Sequence, residues 1–275
     1  MEKKRRINKS IAEETLQIMK QGYFYNSLEE KIDISKSMEL AINKTVCYSP
    51  EMSDALLIES WNAKNISEFN VTNESTFDCV RRLVKEGEEN VLCLNFASAR
   101  NPGGGFLGGS QAQEESLARA SGLYPTLTKC EEYYQTNRKM KSCFYTDYMI
   151  YSPKVPMFKK EKGDNLDQAL AVSIITAPAV NTGVVQQREP ERIGEIELVM
   201  KRRIAKVLAI SANHGHRVLV LGAWGCGVFR NDPEKMAVYF KEVIESKFKN
   251  HFQKIIFAIY SKNERFINPF INQFT

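Results

Sequence analysis

Two adjacent acids, Glu114 and Glu115, close a glycine-rich stretch in the segment NFASARNPGGGFLGGSQAQEESLARASG, from Asn95 to Gly122. Backbone N–H groups in glycine loops cradle phosphates, whereas carboxylates repel them. A second glycine loop resolves the conflict. Gly222, Gly225 and Gly227 follow the apolar run VLVLGA, and no acid occurs between that run and Asp232. Ligands of open α/β sheets sit beyond the C-terminal ends of the strands. One loop can therefore hold phosphates while the other carries acids that act on a different part of the same ligand.

Gly103, Gly105 and Gly108 also satisfy the dinucleotide fingerprint G-x-G-x-x-G. The context opposes that reading. SARNP separates these glycines from the preceding strand, Pro102 lacks a backbone donor, and a docked pyrophosphate would meet both acids. Ser110 reads as a helix N-cap with Gln113 completing a capping box, which places Glu114 and Glu115 at the fourth and fifth helical positions. The helix macrodipole favours acids there and is by itself a sufficient structural reason for them. Neighbouring helix residues point about 100° apart, so the two carboxyls cannot serve one atom equally. Cys47, Cys79, Cys93, Cys130, Cys143 and Cys226 show no C-x-x-C spacing, which argues against structural zinc and a disulfide framework. His214 and His216 in NHGH have a metal-pair spacing, but Gly215 between them reads as a helix C-cap in a turn. No metal or other cofactor is expected.

The elements that must hold these loops follow from the hydrophobic pattern. Ile11–Lys20 reads as an amphipathic helix, TVCYSP as a strand stopped by Pro50, and Ser75–Lys85 as a helix. NVLCLNFA, Asn90–Ala97, suits a buried strand leading into the first loop. Tyr145–Tyr151 and AVSIITAPAV read as strands on either side of an exposed polar excursion, MFKKEKGDNLDQ. A long helix over Glu191–Asn213, the strand into the second loop, a helix over Pro233–Lys247 and a final strand, KIIFAIYS, complete the chain. Alternating strands and helices predict an α/β fold with a mostly buried, partly parallel sheet. The basic start, MEKKRRINKS, lacks a following apolar region and reads as a solvated tail rather than a secretory signal. At 275 residues, 43% hydrophobic and 26% charged, the chain can build a sizeable core. No apolar run approaches the ~20 residues of a membrane span. The net charge of +5 is mild. A cytoplasmic protein without a membrane or stable nucleic-acid partner is expected.

The triple glycine followed by Gln113-Glu114-Glu115 resembles the signature of poly(ADP-ribose) glycohydrolases, which are macrodomain enzymes. ARASGLYPTL, TAPAVN and VLVLGAWGCGVFRNDP are similar to the bacterial-type, microbial branch, and the likeness runs from the Ile11 helix to FAIYS. The resemblance implies a macrodomain-like three-layer α/β/α fold with a mixed, largely parallel central sheet. Residues 1–40 would form an N-terminal helical extension packed on a catalytic domain of residues 41–275. It implies Glu115 as the catalytic acid and Glu114 as the residue that positions the ribose at the scissile bond. Gly103, Gly104 and Gly105 would wrap that ribose, with Asn95 and Asn101 in the stretch leading to them. Gly222, Gly225, Cys226, Gly227, Val228 and Phe229 would form the diphosphate loop, Phe229 packing on the ligand. Glu115 would protonate the leaving 2′ oxygen and then act as base on water. The partner would be ADP-ribose or poly(ADP-ribose) on a modified protein. Alternatives on the same fold are a mono-ADP-ribosyl hydrolase, an O-acetyl-ADP-ribose deacylase and a non-catalytic ADP-ribose reader.

Overall fold

The computed structural model describes residues 2–61, 63 and 66–275. The chain opens with α1 (Glu2–Gln21), the hairpin β1 (Tyr23–Tyr25) and β2 (Lys31–Asp33), and α2 (Ser35–Lys44). It continues through β3 (Val46–Tyr48), α3 (Pro50–Leu56), β4 (Glu68–Thr72), α4 (Thr76–Lys85) and β5 (Val91–Phe96). Three short helices follow, α5 (Gln113–Ala120), α6 (Leu123–Lys129) and α7 (Glu131–Lys139), and then the long hairpin β6 (Met149–Lys159) and β7 (Asn165–Ala177). The C-terminal part runs α8 (Thr182–Arg188), α9 (Ile196–Asn213), β8 (Val218–Leu221), α10 (Pro233–Lys247), β9 (Lys254–Ala258) and α11 (Asn268–Phe274).

Among the described residues the main sheet has seven strands in the order β3-β6-β7-β5-β8-β9-β4. The five strands from β7 to β4 run parallel, and β6 and β3 are antiparallel additions at one edge. Strand side chains alternate between faces. Leu92 and Leu94 of β5 enter one core cluster with Leu208 of α9 and Phe240 of α10. Val91 and Cys93 enter the other with Leu83 of α4 and Tyr133 of α7. Burial on both faces explains why β5 reads as a continuous apolar run. β5 and β8 are neighbours in register, Leu92 opposite Leu219, so the loops after them emerge side by side at one end of the sheet.

Three expectations are corrected. The basic start is not a tail: from Glu2 it forms the first turns of α1, where Arg5 and Asn8 donate to the Gly108 and Gly109 carbonyls, although its basic side chains stay exposed. Met1 lies outside the described residues. The segment MFKKEKGDNLDQ is not an exposed excursion throughout. Met157, Phe158 and Lys159 are the buried end of β6, and the Lys159 ammonium pairs with Glu14 of α1 at 2.8 Å. The helix expected over Glu191–Asn213 starts as a 3-10 turn, Pro190–Glu195, before α9. The boundary expected at residue 40 falls inside α2. No helix of the described residues is long and apolar enough to cross a membrane.

Candidate active site

The loop after β5 is organised by backbone hydrogen bonds. Gly104 N–H donates to Asn101 O at 2.9 Å and Phe106 N–H to Gly103 O at 3.2 Å. Gly103 and Gly104 take φ of 68° and 61°, the left-handed region open to glycine. A Cβ on Gly104 would strike the Glu115 carboxyl and come within 3.0 Å of Glu114 Oε2. The triple glycine is therefore what lets this backbone lie against both acids.

Ser110 is not the cap of α5. The helix starts at Gln113 after Ala112, which offers no side-chain cap, so Glu114 and Glu115 stand at the second and third helical positions. Gln113 instead anchors the helix to β5. Its Oε1 accepts from Phe96 N–H at 2.8 Å, and its Nε2 donates to Leu94 O at 2.7 Å and Thr76 Oγ1 at 3.1 Å.

The two acids then part. Glu114 is buried; its Oε2 accepts from Ser98 N–H at 2.7 Å and its Oε1 from Asn95 Nδ2 at 3.2 Å. Burial pushes its carboxyl up from 4.5 to about 8, and the Glu115 charge adds to the rise, while the Ser98 and Asn95 donors oppose it. Glu115 is half-buried, and its Oε1 accepts from Gly105 N–H at 2.9 Å. Asn95, fully buried, also donates to Thr176 Oγ1 at 3.2 Å. Asn101 is exposed and joins the loop through its backbone, its N–H on Ser98 Oγ at 3.1 Å.

Beyond β8, Gly225 has φ of 75°, and a Cβ there would lie 2.7 Å from Ala179 Cβ and collide with the Asn231 amide. Gly222 is confined by Ala258 O and the Phe96 ring, whereas Gly227 lies outside the left-handed region and faces open space. The N–H groups of Gly227, Val228 and Phe229 have no hydrogen-bond partner among the described residues. Consecutive free N–H groups of this kind suit an anion. Cys226 is buried, with its thiol toward Trp224 O, Val228 is exposed, and Phe229 is half-buried with its ring 6.1 Å from that of Tyr145.

A cavity of about 510 Å³ runs between the two loops toward the end of β9, lined among others by Phe96, Gln113, Ser116, Gly225, Phe229 and Tyr260. This is the size range of small-ligand sites, roughly 300–1,000 Å³. Glu114 and Glu115 are not in its walls, although Gln113 and Ser116, which flank them in sequence, are.

Of the expected residues, Gln113, Gly225, Cys226, Gly227, Val228 and Phe229 line this cavity in the structure, whereas Asn95, Asn101, Gly103, Gly104, Gly105, Gly222, Glu114 and Glu115 do not. The structure also reveals supports that sequence reasoning missed. Asn231 is buried and spans the second loop's base, donating to Val180 O at 2.8 Å and accepting from Thr182 Oγ1 at 2.7 Å. Tyr145, at φ of 59°, is held by its carbonyl to the buried Arg203 at 3.0 Å. Neither carries a local signal, because each acts through partners far along the chain. His214 and His216 are engaged separately by Tyr48 at 2.9 Å and Tyr151 at 2.8 Å. Among the described residues no group of three or more His, Cys, Asp or Glu side chains is placed to hold a metal ion.

The family model described as microbial-type PARG, catalytic domain, matches residues 12–160. Among solved structures, poly(ADP-ribose) glycohydrolase from Thermomonospora curvata is 37% identical over 97% of this chain and 99% of its own, with a TM-score of 0.93. The same enzyme bound to the inhibitor ADP-HPD gives 37% identity over the same shares and a TM-score of 0.91. Poly(ADP-ribose) glycohydrolase from Deinococcus radiodurans in complex with ADP-ribose is 41% identical over 86% of this chain and 96% of its own, with a TM-score of 0.82. No curated protein sequence matches the chain.

Proposed function

The chain belongs to the microbial-type poly(ADP-ribose) glycohydrolase family, and we propose that it hydrolyses ribose–ribose O-glycosidic bonds of poly(ADP-ribose) to release ADP-ribose. The observation that carries this reading is the Glu115 carboxyl, tied through one oxygen to Gly105 N–H at 2.9 Å, in a chain whose second loop offers free N–H groups. One Glu115 oxygen is thereby fixed and the other is available for proton transfer.

The terminal ADP-ribose lies in the cavity with its diphosphate on the N–H groups of Gly227, Val228 and Phe229. The close backbone at Gly222 and Gly225, with Cys226 turned inward, holds that loop in shape. Phe229 packs on the ligand. Gly103, Gly104 and Gly105 wrap the ribose whose bond is cut, and Asn95, Asn101 and Gln113 hold that loop and α5 together. Glu115 gives its proton to the leaving 2′ oxygen as the bond to the ribose anomeric carbon breaks. Positive charge develops on the ribose, near the substrate's own diphosphate. Glu115, now a carboxylate, takes a proton from water as the water oxygen bonds to that carbon, which restores the acid. Glu114 orients the ribose. With its carboxyl raised to about 8, it carries little negative charge toward the phosphates near pH 7.

The N-terminal extension expected over residues 1–40 packs on the catalytic part, with α2 running across the boundary between them. The polymer arrives on a modified protein. The free cysteines fit the reducing cytoplasm, where we place the protein. Incubation with poly(ADP-ribose) and chromatography of the products tests the reading. ADP-ribose is the expected product. Release of ADP-ribose from mono-ADP-ribosylated protein with the polymer left intact would transfer the activity to the mono-ADP-ribosyl reading. Binding without release would make the protein a reader.

A further inference from the structure

Helix α1 breaks a local rule. The first turn of a helix favours acids, because its free N–H groups carry partial positive charge. α1 instead places Lys3, Lys4, Arg5 and Arg6 there after a single acid, Glu2, and adds Lys9. Most of the chain's net charge of +5 thus sits on two helical turns. All five basic side chains are exposed. Lys3 and Arg6 are three positions apart and Arg5 and Lys9 four, spacings at which like charges repel. Among the described residues Lys9 is the only one of the five with an ion-pair partner, Glu13 at 3.8 Å. Charges serving only solubility need not be crowded where the helix resists them, and local rules are broken chiefly at functional or strained sites.

The location says what the surface meets. Arg5 Nε donates to Gly108 O at 2.8 Å, Asn8 Nδ2 donates to Gly109 O at 3.3 Å, and Gly109 (φ of 76°) sits against the Arg5 carbonyl, where a side chain could not fit. Gly108 is three residues from Gly105, whose N–H holds Glu115, so their Cα atoms are at most about 11 Å apart. The terminal unit occupies the cavity. The rest of a polymer therefore begins at Glu115, and α1 stands on the same loop that holds Glu115. We propose that the basic end of α1 is a tract for the phosphates of the poly(ADP-ribose) chain beyond the cleaved bond. This rests on the polymer reading of the site and extends it to an interaction surface that acts on binding of long chains, not on the bond-breaking step.

The test combines Lys3→Gln, Lys4→Gln and Arg6→Gln, leaving Arg5 on Gly108. Initial rates are measured over a salt series on two substrates: long poly(ADP-ribose), and an O-linked ADP-ribose conjugate whose leaving alcohol carries no phosphate. The expected result is a polymer KM raised about tenfold. The logarithmic salt dependence of polymer affinity should flatten by about 2, at ~0.7 per lost phosphate contact. Neither kcat nor the conjugate's KM should move, and Lys3→Arg with Lys4→Arg should keep the wild-type polymer KM. Equal losses on both substrates would reduce α1 to a structural brace, and an unchanged polymer KM at low salt would remove the tract. Single-stranded DNA of matched charge competing as well as the polymer would reassign the surface to nucleic acid. Direct polymer binding in a Glu115→Gln background separates the two proposals. Binding lost with the charges, in a protein whose wild type cleaves neither substrate, would keep the tract and sink the proposed hydrolysis.

Discussion

Glu114 and Glu115 are neighbours in sequence and strangers in environment, and each leads to its own measurement. The Glu114 carboxyl binds its proton more tightly in the folded protein than in the unfolded chain, because burial penalises its charge. Its contribution to stability is complete below its ordinary value of 4.5 and is lost as pH rises through about 8. Between those values the wild type should therefore lose stability relative to Glu114→Gln, which has no proton to shed. Melting temperatures of both proteins at pH 5 and pH 8 check this, and parallel changes would show that Glu114 does not titrate as a buried acid. Glu115→Gln keeps the size and the Gly105 hydrogen bond but has no transferable proton. Single-turnover release of ADP-ribose from the polymer should fall about 10²–10⁴-fold, with ADP-ribose affinity largely retained in calorimetry. A folded variant cutting at the wild-type rate would remove Glu115 from the chemistry.

The last two glycines of the second loop have different reasons to be glycine. Gly225 is left-handed and closely packed, so Gly225→Ala combines backbone strain of about 1–2 kcal/mol with the clash against Ala179 and Asn231. Gly227 has neither constraint and borders the cavity. The expected outcome is a lower melting temperature for Gly225→Ala and an unchanged one for Gly227→Ala. The bulkier Gly227→Val should still weaken ADP-ribose binding at least tenfold, roughly 1.4 kcal/mol, because its side chain enters the space over the free N–H groups. Wild-type affinity in folded Gly227→Val would show that the ligand does not approach this turn.

Asp147, Arg203 and Lys206 tie the molecule together behind the site. Arg203 donates to Asp147 at 2.8 Å and to the carbonyls of Phe144, Tyr145 and Pro178, while Lys206 reaches Asp147 at 3.2 Å and Asp54 at 2.8 Å. α9 is thereby pinned to α3 and to the segment carrying Tyr145. Burial alone would raise the Asp147 carboxyl, but Arg203, Arg202 and Lys206 overrule it and hold it at about 2. Asp147→Asn leaves the buried Arg203 without its countercharge and should cost about 3–5 kcal/mol in urea unfolding at pH 7. The wild-type advantage depends on the ionised carboxylate, so it is present above pH 3.8 and should shrink as pH falls toward 2. An equal difference at pH 7 and pH 2 would mean that shape, not charge, holds this region.

What the sequence by itself determined was whatever repeats or clusters within a few residues. The apolar run of β5, the Pro233 start of α10, the two glycine loops and the Gln113-Glu114-Glu115 signature were all legible, because periodicity and turn chemistry are local. Tertiary structure decided everything that depends on a partner distant in the chain. Gln113 looked like half of a capping box but spends its amide on β5, since the Leu94 carbonyl and Phe96 N–H lie beyond the last β5–β8 pair, Cys93 with Val220. The basic N-terminus looked like a tail because its anchors, the Gly108 and Gly109 carbonyls, lie about a hundred positions away. Which of the two adjacent acids would be buried, and so hold its proton to about pH 8, was likewise set by the fold, whose desolvation of Glu114 outweighs the opposing Ser98 and Asn95 donors. Desolvation is a property of the assembled surroundings, and no spacing along the chain encodes it.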